Sequence, residues 1–103
     1  MDGIENDKMS EGAVRVKRYG DRSKTQPSFW KLSDGTWNIF LPDERVKPDW
    51  DGVLGALANH SVEEHDDGTI SVTPSIFITD GCTKIERHGY LTQGVWSECQ
   101  GGV

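Results

Sequence analysis

The chain has 103 residues, of which 34% are hydrophobic and 27% charged, and its formal net charge is -6. That length fits one domain, and 22 Leu, Ile, Val and Phe residues with four Trp make a small core. No apolar run approaches the roughly 18 to 20 residues of a membrane helix, which excludes a helical membrane protein.

The opening stretch, MDGIENDKMSEG, is acidic and has no apolar h-region, so it does not read as a secretory signal. Residues 1 to 12 are expected to form a disordered acidic tail, with a single compact β-rich domain over 13 to 103. A cytoplasmic location follows as an expectation. Two cysteines, Cys82 and Cys99, are too few for a disulfide framework and are expected as free thiols.

Charge comes in blocks. Arg15, Lys17, Arg18, Arg22 and Lys24 face a single Asp21, while Glu63, Glu64, Asp66 and Asp67 form the densest negative cluster. Ala13 to Tyr19 alternates apolar and basic residues as a half-exposed strand does. Ser28 to Leu32 and Thr36 to Leu41 flank Asp34-Gly35, a dipeptide suited to tight hairpins. Thr69 to Thr79 is a β-branched run interrupted by Pro74, which predicts an edge strand or two pieces joined at a bend. Arg87 to Leu91 and Val95 to Cys99 bracket a further turn at Thr92-Gln93-Gly94.

One segment has helical spacing: Trp50, Val53, Leu54, Leu57 and Ala58, with Asp49 or Asp51 as cap and Gly52 and Gly55 as weak points. The fold class expected is mainly β or α+β. It would be a small antiparallel sheet of hairpins with at most one short helix, at about 50–59.

The chemistry-bearing residues are sparse. His60 and His65 in HSVEEH do not have metalloprotease spacing. Cys82, His88 and Cys99, with one of those histidines, are weak candidates for a tetrahedral zinc site, since no paired CxxC or HxxxH spacing supports them. No nucleophile elbow and no phosphate-cradling glycine loop is present, so no catalytic residue is assigned. Trp30 and Trp37, straddling the Asp34-Gly35 turn, are either core residues or an exposed stacking platform for an aromatic ligand. The basic stretch RVKRYGDRSK stands against an acidic whole, which disfavours direct nucleic-acid binding. The acidic cluster Glu63, Glu64, Asp66 and Asp67 is instead suited to a basic groove on another protein.

From Trp37 onward the order of motifs resembles a known family. The motifs are W-x-x-F (Trp37, Phe40), T-P-S-I (Thr73 to Ile76), H-G-Y-L-T-Q-G-V-W (His88 to Trp96) and Cys99. They resemble small phage and prophage domains of unknown function. The resemblance implies a compact β-rich fold, a phage or prophage origin and a bacterial host cell. Two features depart from that pattern. The turn here is Gln93-Gly94, and a closing His is replaced by Cys99-Gln100-Gly101-Gly102-Val103, which weakens any metal site inferred from relatives.

The function expected is therefore a non-enzymatic accessory protein that binds a host or phage protein and inhibits a nucleic-acid-handling or defence system. The candidate partner-binding residues are Glu63, Glu64, Asp66, Asp67, Trp30 and Trp37. The alternatives are a metal module or small enzyme on Cys82, His88 and Cys99, and a ligand-binding module on Trp30 and Trp37.

Overall fold

Short alternating segments separated by Asp-Gly turns produce strands and hairpins rather than helices, and the computed structural model bears this out. It describes residues 10–46 and 51–99. Nine strands run in chain order: β1 (Ser10–Gly12), β2 (Val14–Arg15), β3 (Ser28–Lys31), β4 (Trp37–Pro42), β5 (Gly52–Ala56), β6 (Ser61–Glu64), β7 (Ile70–Thr79), β8 (Glu86–Thr92) and β9 (Val95–Glu98). They form a five-stranded sheet in the order β1-β9-β8-β7-β6 and a four-stranded sheet in the order β2-β3-β4-β5. All neighbours are antiparallel except β2 and β3.

Two hairpins in this sandwich share one design. In β3–β4 the pairs are Ser28↔Phe40, Phe29↔Ile39, Trp30↔Asn38 and Lys31↔Trp37. In β6–β7 they are Ser61↔Thr73, Val62↔Val72, Glu63↔Ser71 and Glu64↔Ile70. Every residue number of the first set recurs raised by 33. The turns match as well. Asp34 accepts from Thr36 N–H at 3.0 Å and from its hydroxyl at 2.7 Å, and Asp67 accepts from Thr69 at 3.0 and 2.6 Å. Gly35 and Gly68 take φ of 93° and 90°, the left-handed backbone these turns require. Each hairpin continues into a third antiparallel strand, β5 or β8, so two three-stranded meanders face each other across the core.

That core is one cluster drawn from both sheets. Phe29, Trp37, Ile39, Leu41 and Val53 come from one side, and Ile70, Val72, Ile76, Ile78, Leu91 and Trp96 from the other. Burying each such side chain is worth about 1.5 to 3 kcal/mol, which lets a chain with few aliphatics fold. Glycines set the spacing where large side chains cross. A Cβ on Gly89 would meet Trp96 Cζ2 at 2.6 Å, and one on Gly55 would meet Ile78 Cδ1 at 2.6 Å.

The expected helix at about 50–59 is absent: Gly52–Ala56 is strand β5, paired with β4 from Asn38↔Ala56 to Pro42↔Gly52. Val53 and Leu57 occupy the core as alternate strand positions, and Gly52 lies so close to Leu41 O and Phe40 that a side chain there would clash. Helical spacing at 53 and 57 is equally strand spacing, and the close approach of β4 and Ile78 to the two glycines goes with the strand. Trp50 and Asp49 lie outside the described residues.

Pro74 does not make β7 an edge. The strand is continuous from Ile70 to Thr79 between β6 and β8, and its register with β8 shifts between Val72 and Ile76, which places the proline where no ladder partner is needed. The stretch assigned to a disordered tail supplies β1 at Ser10–Gly12, paired with β9, so the ordered domain starts before Ala13. Residues 1–9 lie outside the described residues.

Candidate functional site

Alternation along β7, β8 and β9 sends one set of side chains into the core and the other to the outer face of the five-stranded sheet. The inward set is Ile76, Ile78, Leu91 and Trp96. The outward set includes Phe77, 57% exposed, and Tyr90, 49% exposed, and on β9 Val95, opposite Thr92. Phe77 pairs with His88, and the two rings meet edge to face at 5.6 Å. Tyr90 is the next outward position on β8 and pairs with Ser97.

Polar groups on this face are tied into the sheet. His88 Nε2 hydrogen-bonds Ser75 Oγ at 2.9 Å, and His60 Nε2 bonds Ser75 O at 3.1 Å. His65 Nε2 bonds Ser71 Oγ at 2.7 Å, and the same oxygen accepts from Gln93 N–H at 2.8 Å. These bonds hold the three imidazoles in place, and His88 carries its ring against Phe77. The charged side chains at outward strand positions are Glu63 on β6 and Glu86 on β8, both exposed; among the described residues no Lys or Arg occupies one.

Of the two readings of Trp30 and Trp37, burial holds and the exposed stacking platform does not form. The two side chains are 2% and 6% exposed. Trp37 faces the core, where Phe29 lies 6.1 Å away. Trp30 lies on the outer face of the four-stranded sheet but is covered by Tyr19, in a 3-10 turn over Tyr19–Asp21, at 6.0 Å. Arg22 stacks on Tyr19 at 3.9 Å and reaches Phe40 at 4.9 Å, completing a second small apolar layer.

The acidic cluster is divided. Glu64 is bound by Arg15 at 2.7 Å, and that hydrogen bond lowers its carboxyl pKa. Asp67 caps its own turn through Thr69, whose hydroxyl and N–H lower the Asp67 pKa. Glu63 and Asp66 are exposed, and Glu63 alone of the four sits on the outward side of the five-stranded sheet. Arg15 also donates to Gly68 O at 3.3 Å and lies over Trp37 at 5.0 Å, so it ties the two matched hairpins together.

The metal candidates are not brought together as a site. Cys82 is exposed in the turn after β7, while Cys99 follows β9 and its N–H donates to His88 O at 2.7 Å. Among the described residues no group of three His, Cys, Asp or Glu side chains is arranged to hold a metal ion. The spacing of Cys82 from His88 reflects the hairpin between them, which sends the cysteine to the tip and the histidine to the middle of the face.

Sequence reasoning missed Phe77 and Tyr90. The signal was present in the alternation of Ile76-Phe77-Ile78 and Gly89-Tyr90-Leu91, where one aromatic in each triplet must point away from its neighbours. No family model, curated protein or solved structure matches this chain. Among the described residues no helix is long and apolar enough to cross a membrane.

Proposed function

We propose that this chain is a non-enzymatic accessory protein of the phage type that binds a basic protein surface on the outer face of its five-stranded sheet. The observation that carries the reading is the exposure of Phe77 and Tyr90 on neighbouring strands of a face whose charged positions are acidic. Aromatic anchors at the centre with a charged rim are the anatomy of protein-binding surfaces. Rim carboxylates select a cationic partner and speed its approach. Proteins that handle nucleic acid carry basic grooves, so a host nucleic-acid-handling or defence protein is the partner class this chemistry fits best. The phage character rests on the motif order from Trp37 to Cys99.

Affinity capture from a bacterial lysate tests the reading when it is run with paired variants. The protein retained by the wild type is expected to be basic, to be lost with Phe77→Ser/Tyr90→Ser, and to be lost with Glu63→Lys/Glu86→Lys. Lys17→Ser/Arg18→Ser is expected to retain it. Undiminished capture by both face variants refutes the proposed surface.

A further inference from the structure

Among the described residues four strands lie at sheet edges: β1 and β6 in one sheet, β2 and β5 in the other. Exposed edges invite pairing with another chain, and natural proteins guard them with charge. Three of these edges are so guarded, by Glu11 on β1, Arg15 on β2, and Glu63 with Glu64 on β6. The fourth, β5, reads Gly52-Val53-Leu54-Gly55-Ala56 and carries none. The stretch continues as Leu57-Ala58, still without charge.

Backbone geometry leaves this edge ready to pair. Asp51 O accepts from Asp43 N–H, and Leu57 N–H donates to Trp37 O, each at 2.8 Å. With the unbroken register between them, the odd-numbered residues of β5 bond to β4, and Gly52, Leu54 and Ala56 turn their N–H and C=O groups away from it. Among the described residues no strand pairs on that side. Leu54 is 49% exposed there and Ala56 is exposed beside it. An apolar cleft of about 240 Å³ lies alongside, lined by Tyr19, Phe40 and Leu54 with the Thr79 to Cys82 tip of the β7–β8 hairpin.

We infer that β5 pairs antiparallel with β5 of a second copy, joining two four-stranded sheets across a two-fold axis. The sequence is self-complementary for this. About an axis at Leu54, the two leucines oppose each other, Val53 faces Gly55 of the other copy, and Gly52 faces Ala56. Leucine meets leucine, each flanking pair contains a glycine, and no like charges are opposed in a chain that is otherwise acidic. Each copy uses its β5 edge once, so the assembly closes as a dimer instead of growing. The face bearing Phe77 and Tyr90 is on the other sheet and stays open in both copies, which makes the dimer bivalent toward a partner.

Sedimentation equilibrium and cross-linking test the inference. The wild type is expected at twice the 11.5 kDa chain mass, and Leu54→Lys, which opposes two ammonium groups, is expected as a monomer with an unchanged near-UV spectrum. In a Cys82→Ser/Cys99→Ser background, Leu54→Cys is expected to give a disulfide-linked dimer, whereas Ala56→Cys, which faces Gly52 and lies roughly 13 Å along the strands from its own copy, is expected not to. Directly opposed hydrogen-bonded residues have Cα atoms about 5.5 Å apart, within disulfide reach. A wild type that stays monomeric up to its solubility limit overturns the inference, as does failure of Leu54→Cys to cross-link or cross-linking by Ala56→Cys in its place. A dimer dissolved by Phe77→Ser/Tyr90→Ser but not by Leu54→Lys also overturns it. The sedimentation and cross-linking outcomes at Leu54 leave capture of a partner by the aromatic face untouched, and the lysate experiment reads that separately.

Discussion

Arg87 on β8 of the five-stranded sheet donates to Asp43, just beyond β4 of the four-stranded sheet, at 3.3 Å. The same guanidinium grips Glu98 on β9 with two bonds of 2.9 and 2.8 Å and donates to Pro42 O at 3.2 Å. Glu98 in turn accepts from Trp96 Nε1 at 2.8 Å, so the network runs from the core tryptophan to the far sheet. Arg87 and Asp43 are nearly buried, at 11% and 7% side-chain exposure. Removing one member of a buried charge network strands the others, at a cost of about 3 to 5 kcal/mol. Arg87→Met is therefore expected to lower the unfolding free energy by about 3 kcal/mol or more in urea titrations. A loss within about 0.5 kcal/mol, the size of an ordinary surface change, would contradict the bridging role.

The same network sets an acid limit. The Asp43 carboxyl is held at about 2, chiefly by the hydrogen bond from the Arg45 side chain, which outweighs burial, with Arg87 adding to it. Glu98 is also lowered, because hydrogen bonds from Arg87 and Trp96 overcome its burial. Both groups have folded pKa values below their unfolded ones, so their stabilisation is complete above the unfolded value of about 4 and is lost as pH falls through the folded value. Stability is expected to drop between about pH 4 and 2. Arg45→Gln is expected to raise the Asp43 midpoint in a carboxyl NMR titration and to shift the onset of acid unfolding upward.

Trp96 lies across Gly89, whose added Cβ would meet the indole at 2.6 and 2.9 Å and would also strike Ser97 O. Gly89→Ala must therefore move a fully buried ring and a strand backbone together. Overpacking of this kind costs about 1 to 3 kcal/mol. Gly81→Ala, where an added Cβ meets nothing within 4 Å, serves as the control and is expected to change stability little. Thermal melts followed by tryptophan fluorescence separate the two.

The matched hairpins predict matched penalties. Gly35 and Gly68 share a φ near 90° and open surroundings, so each Gly→Ala substitution pays for a left-handed backbone and little else. Each is expected to cost about 1 kcal/mol, and the two are expected to add in the double variant because the turns belong to different sheets. Unequal penalties would show that the two turns, alike in register, are not alike in strain.

Much of the fold is legible in the residues. The Asp34-Gly35 hairpin, the long β-branched run of β7 and the β8–β9 hairpin follow from alternation and turn chemistry, and each is found close to its expected bounds. The segment around Gly52 and Gly55 was ambiguous because residues 53 and 57 fit either period, and the deciding fact, close approach to β4 and to Ile78, is tertiary. Trp30 is buried for a reason that no local pattern contains, since its cover comes from Tyr19 and Arg22 folded back over the sheet. The acidic cluster was visible as charge, but its partners were not: Arg15, distant in sequence, neutralises Glu64. The binding face was hidden in plain alternation, with Phe77 and Tyr90 at the outward beat of two strands.

Hydroxyl-radical footprinting of the protein, free and in complex with the basic protein it captures, tests the proposed surface most directly. Both rings are reactive and exposed in the free chain. Protection of Phe77 and Tyr90 on complex formation, with the Tyr19 to Arg22 cover unchanged, is the predicted result. Protection confined to the Glu63 to Asp67 hairpin or to the four-stranded sheet, with Phe77 and Tyr90 still reactive, would contradict it.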